Sequence, residues 1–74
     1  MAIIEIWDQD ANNTVGFVEI NMADDHYAVE VVESAIAKAK REHESSWTYD
    51  DIEEEIANVG GVVTWFGMFN YVAI

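Results

Sequence analysis

The chain has 74 residues, no cysteine, 51% apolar residues and a formal net charge of -12, from fifteen carboxylates against three bases. That length suits a single domain, 1–74, with one core; the apolar share lets it fold despite the charge, and the lack of cysteine excludes a disulfide framework and thiolate chemistry. A field of this sign repels nucleic acid and anionic membrane, and it draws in basic proteins or cations over about 8 Å at physiological salt.

The first segment, AIIEIW, is β-branched and aromatic, with Ile4 and Ile6 on one face and Ile3, Glu5 and Trp7 on the other. It has no basic region before its apolar stretch, and no apolar run reaches the ~18 residues of a membrane span, so neither signal nor anchor is expected and a reducing cytoplasm is the simplest home. DQDANNTVGFVE follows. Its spacing of Asp8, Asp10, Asn12 and Glu19 fits the oxygen ligands of a calcium loop, with Asn13 where a glycine normally turns the chain. Only seven residues precede Asp8, too few and too β-branched for the helix such a loop needs, so a hairpin with TVGFVEI as its second strand is the preferred reading.

MADDHYAVEVVESAIAKAKREHE carries the strongest periodicity. Ala28, Val31, Val32, Ala35, Ile36 and Ala39 form one helical stripe, Asp24 or Asp25 caps the start, and Lys38, Lys40 and Arg41 sit toward the negative C-terminal end. A helix over about 25–42 is predicted. SSWTYDDIEEEIANVGG predicts a shorter one, with Thr48 and Asp51 as a capping box, Ile52, Ile56 and Val59 as its inner edge behind Trp47 or Tyr49, and Gly60 as its stop. Outward, Asp50, Asp51, Glu53, Glu54 and Glu55 have no base beside them in sequence, which weakens a helix slightly. The final VVTWFGMFNYVAI reads as strand, with Val63 and Trp65 pointing one way and Val62, Thr64 and Phe66 the other. Gly67 is a bulge or a turn, and so apolar a strand is expected inside the sheet. The whole is α+β, ββααβ: an antiparallel sheet of three strands, or four if Gly67 is a turn, with two helices on one face.

Catalysis lacks its parts. His26 and His43 stand at opposite ends of the first helix, about 25 Å apart at 1.5 Å per residue, and cannot act together. Ser45 and Ser46 lie between helices, where capping is the usual role, and Glu30 with Glu33 reads as a solvated pair. Four glycines form no phosphate-cradling loop. No enzyme activity and no cofactor are expected. The aromatics, Trp7, Trp47, Trp65, Phe66, Phe69 and Tyr71 among them, are first of all core material, with one or two free to anchor a partner.

From Glu42 to Glu55 the chain has seven carboxylates and no Lys or Arg. Helical neighbours three or four residues apart have Cβ atoms ~5–6 Å apart, and a duplex carries about one charge per 1.7 Å of axis, so a rigid row of Asp and Glu can stand in for a nucleic-acid backbone. In sign, size and lack of catalytic groups the chain resembles the small acidic inhibitors that phages use against host nucleic-acid enzymes, the DNA-mimic group of restriction, CRISPR and uracil-DNA glycosylase inhibitors. ESSWTYDDIEEEI, residues 44–56, looks like the Glu-Ser element and following acidic segment of the phage uracil-DNA glycosylase inhibitor, and that resemblance casts Glu44 and Ser45 as enzyme contacts.

The function expected is therefore a non-enzymatic inhibitor, at work in the host cytoplasm if phage-encoded. It would contact a basic nucleic-acid-binding protein (nuclease, glycosylase, polymerase or CRISPR effector) through Glu42, Glu44, Ser45, Asp50, Asp51, Glu53, Glu54 and Glu55. Two alternatives stand beside it: a module that self-assembles, as a homodimer for instance, through a strand edge or apolar face, and a calcium module at Asp8, Asp10, Asn12 and Glu19.

Overall fold

The computed structural model describes residues 1–66; the expectations placed on Gly67 and on the strand material after it, Phe69 and Tyr71 included, lie outside them. The order is β1 (Ala2–Asp8), β2 (Asn13–Ile20), α1 (Asp25–His43), a 3-10 turn (Glu44–Ser46), α2 (Tyr49–Asn58) and β3 (Gly61–Trp65). The sheet is antiparallel in the order β1-β2-β3. This is the α+β, ββααβ architecture the periodicities predict.

One feature of the sheet is the place of its strands. Among the described residues β3 is an edge strand and β2 is the centre. The hairpin occupies one edge of β2, and the return through α1 and α2 delivers β3 to the other. β2 is suited to that place by Gly16, which sits opposite Trp65; a Cβ there would come 2.5 Å from the Thr64 carbonyl oxygen. A second feature is a bulge in the hairpin. Ile6 faces Gly16 while Trp7 faces Thr14, which leaves Val15 as the extra, buried residue. Bulges bend and twist a strand, and this one lies beside the tip.

The strands bury one face. Ala2, Ile6, Val18 and Ile20, with Ile4, Val63 and Trp65 partly buried, point toward the helices, whereas Ile3, Trp7, Val62 and Phe66 stay exposed. α1 contributes Ala28, Val32, Ala35 and Ala39, and α2 contributes Ile52 and Ile56. The alanines let α1 lie close to its neighbours, and close approach leaves no room for rings. The aromatic side chains expected in the core are accordingly at its margin: no Trp, Tyr or Phe is among the buried residues described. Val59, expected on the inner edge of α2, is instead its exposed C-cap.

Caps fix the helix ends. The Asp24 carboxylate accepts from the amides of His26 and Tyr27, so Asp24 rather than Asp25 starts α1. Thr48 and Asp51 form the predicted capping box: the Thr48 hydroxyl accepts from Asp51 N–H, and the Asp51 carboxylate accepts from Thr48 N–H at 2.8 Å. Gly60, at φ 89°, ends α2 in the left-handed region where glycine costs least.

Candidate functional site: the acidic run and the tryptophan cleft

The stretch proposed for calcium is a hairpin. Asp8 and Asn13 face each other at its tip, with the left-handed turn residue at Asn12 (φ 54°) rather than Asn13. Glu19 lies opposite Ile3 at the other end. Glu19 lies six residue steps along β2 from Asn13, roughly 20 Å at ~3.3 Å each, so Glu19 cannot join Asp8, Asp10 and Asn12 around one ion. Asp8 has other work. Its carboxylate accepts from the amides of Asp10 and Ala11 and from the Tyr49 hydroxyl, and it ties the hairpin tip to the start of α2. The Tyr49 hydrogen bond holds its pKa below the ordinary carboxylate range, helped by the loop amides and by Lys40.

The seven carboxylates of the acidic run separate into two groups. Asp51 closes the capping box and lies 3.5 Å from His43, an ion pair when the imidazole is protonated. Glu53 accepts from the Trp65 indole N–H at 2.7 Å. Glu55, half-buried, lies 3.4 Å from Lys38 on α1 and accepts from the Asn58 amide, contacts that lower its pKa, Asn58 the most. Sequence reasoning left these side chains without a basic neighbour because Lys38 and His43 come from the other helix. A weaker contact joins Glu42 to Lys38 at 4.0 Å. Glu44, Asp50 and Glu54 are exposed and, among the described residues, make no side-chain hydrogen bond or ion pair.

The link between the helices holds two further site residues. Glu44, the C-cap of α1, has φ 53° and ψ -126°, an unfavourable conformation for a residue with a Cβ. Ser45 is exposed beside it, and the Ser46 hydroxyl donates to the His43 carbonyl at 2.7 Å, the turn role expected of these serines. The carboxylates of the run left without a side-chain partner among the described residues are thus Glu44, beside Ser45 in the link, and Asp50 and Glu54 on α2.

Two concavities flank this region. A groove of about 440 Å³ between the helices is lined by Tyr27, Val31 and Val59, with the Lys38–Glu55 pair in its wall. A smaller cleft of about 160 Å³ lies between the hairpin tip, α1 and α2, where Trp7, Trp47, Trp65 and Tyr49 gather around Asp8 and Lys40. Tyr49 and Trp65 stack at 4.6 Å between ring centroids. Reading the aromatics as core missed this gathering; the one local sign of it is Trp47 and Tyr49 flanking the cap residue Thr48. No described helix is long and apolar enough to cross a membrane. Comparison with protein-family models, with curated proteins and with solved structures finds no match.

Proposed function

We propose that the chain is a non-enzymatic inhibitor that presents a row of carboxylates to the nucleic-acid-binding site of a basic protein. The observation that carries this reading is the group Glu44, Asp50 and Glu54, exposed and unneutralised in a chain of net charge -12. Two of the three bases are already engaged: Lys38 with Glu42 and Glu55, and Lys40 over the Trp47 ring. Asp50 and Glu54 are one helical turn apart, ~5–6 Å at Cβ, on a helix held by a capping box and two buried isoleucines, so the row is rigid before it meets a partner. Preorganised charge costs little ordering on binding and steers encounter from a distance.

The test uses the immobilised chain and a lysate at low salt. A partner of the proposed kind is released both by moderate salt and by added duplex DNA, which competes for its basic groove. Changing Glu44→Gln, Asp50→Asn and Glu54→Gln together should abolish its capture. Retention that ignores DNA and survives the triple change would end the proposal.

A second reading has its own observation, the sheet face that the helices leave open among the described residues, where Ile3, Val62 and Phe66 are exposed and Phe66 packs on Phe17 at 5.5 Å. Apolar faces of this kind mark contact sites, and self-assembly would cover this one. Sedimentation of the purified chain decides: a dimer that persists at high salt supports assembly, and a monomer at all salt concentrations removes it.

A further inference from the structure

All three tryptophans of the chain line one cleft. Its volume of about 160 Å³ is below the ~300 Å³ at which drug-sized ligand pockets begin. It corresponds to about five waters at ~30 Å³ each, room for the head of one side chain. The walls are Trp7, Trp47, Trp65 and Tyr49, and Asp8 and Asp10 stand on the hairpin side. Ring faces attract cations, and two carboxylates against one base give the cleft the same preference.

The cleft already contains a cation of its own. Lys40 Nζ lies 4.8 Å from the Trp47 ring centroid and helps hold Asp8 ionised. Lys40 is exposed, so its ammonium can swing into water at small cost. Asp10, also exposed, makes no side-chain hydrogen bond or ion pair among the described residues.

We propose that this cleft receives a guanidinium group, the arginine side chain of a basic protein partner, and that Lys40 is a resident place-holder which the guanidinium displaces from the face of Trp47. Guanidinium is planar and more weakly hydrated than ammonium, so it stacks on a ring while its fork engages a carboxylate, here that of Asp10. That the arginine comes from a protein rests on the function proposed above; the preference of the cleft for guanidinium does not.

The test follows the indole N–H resonances of the isotope-labelled full chain during titration with N-acetyl-arginine amide. N-acetyl-citrulline amide serves as the uncharged isostere and N-acetyl-lysine amide as the ammonium counterpart. The arginine derivative should shift the Trp7 and Trp47 signals saturably, the lysine derivative should bind more weakly, and the citrulline derivative should leave them in place. Lys40→Met, which keeps the aliphatic stem, should tighten arginine binding roughly two- to fivefold, and Asp10→Asn should weaken it by a similar factor. Trp47→Leu should abolish it; if that variant unfolds, Asp10→Asn at an exposed position carries the same test. Equal shifts from citrulline, equal affinity for lysine, no saturable shift, or an unchanged affinity in Lys40→Met would each overturn the assignment. The outcome is separable from that for the acidic row: arginine binding by a chain whose triple amide variant still captures its partner keeps the cleft and removes the row, and the converse keeps the row.

Discussion

The two flanks of α2 look alike in sequence and differ in the folded chain. On the inner flank Asp51, Glu53 and Glu55 are bound to the cap, to the Trp65 indole and to Lys38; on the outer flank Asp50 and Glu54 are exposed and bind nothing among the described residues. Spacing alone assigns all five to one anionic surface. The fold uses three of them to hold helix, sheet and neighbour together, and the other two, with Glu44, are the ones the proposed function needs. A carboxylate in an acidic run is therefore not a contact residue until its hydrogen bonds have been counted.

Substitutions can sharpen or break that division. The largest effect should come from beneath α2: Ile56→Ala, at a side chain with 0% exposure, should cost about 2–5 kcal/mol in urea unfolding and take capture down with it, because both flanks depend on the anchor. On the inner flank, Thr48→Ala removes the cap acceptor and should cost about 1 kcal/mol, with capture unchanged at temperatures where the variant is folded. Glu44→Gly should do the opposite: it relieves the positive φ and raises stability by about 0.5–1 kcal/mol while capture weakens. A loss of stability there would remove the strain argument. The outer triple Glu44→Gln, Asp50→Asn, Glu54→Gln should change stability by no more than about 0.5 kcal/mol, and its effect should appear in the salt dependence of capture.

The smallest difference concerns pH. Asp8 and Glu55 have pKa values lowered from ordinary values of 3.8 and 4.5. A lowered pKa in the fold means the unfolded chain takes up protons first; the stabilisation is complete above the ordinary values and disappears as pH falls through the folded ones. Thermal melts should thus begin to lose the Glu55 contribution below about pH 4.5 and the Asp8 contribution below about pH 3.8. Glu55→Gln should flatten part of that slope. Added salt makes a related contrast: screening should raise the melting temperature of the isolated chain by relieving self-repulsion, and should weaken partner capture.

Much of the fold was legible in the sequence because its signals are local. Two-residue alternation marked the strands, the Ala28 to Ala39 stripe marked α1, and Thr48 with Asp51 marked the start of α2. Three things were not legible, each set by contacts distant in sequence. The pairing of β3 with β2 on the side away from β1 depends on where the chain returns after the helices. The partners of Asp51 and Glu55 come from α1, and the tryptophans, far apart in the chain, meet only where the hairpin tip and the helices do. The acidic run was visible as a composition; its separation into bound and unbound members needed Lys38, His43, Thr48 and Trp65 in place.

An interior made from alanine, valine and isoleucine is silent to ultraviolet light at the wavelengths where tryptophan absorbs and emits. Every indole in the chain reports instead on the seam joining the hairpin tip to the helices. Emission during denaturation will then follow the parting of that seam, and backbone ellipticity will follow the helices. A gap between the two curves would mean that the rim opens before the framework dissolves.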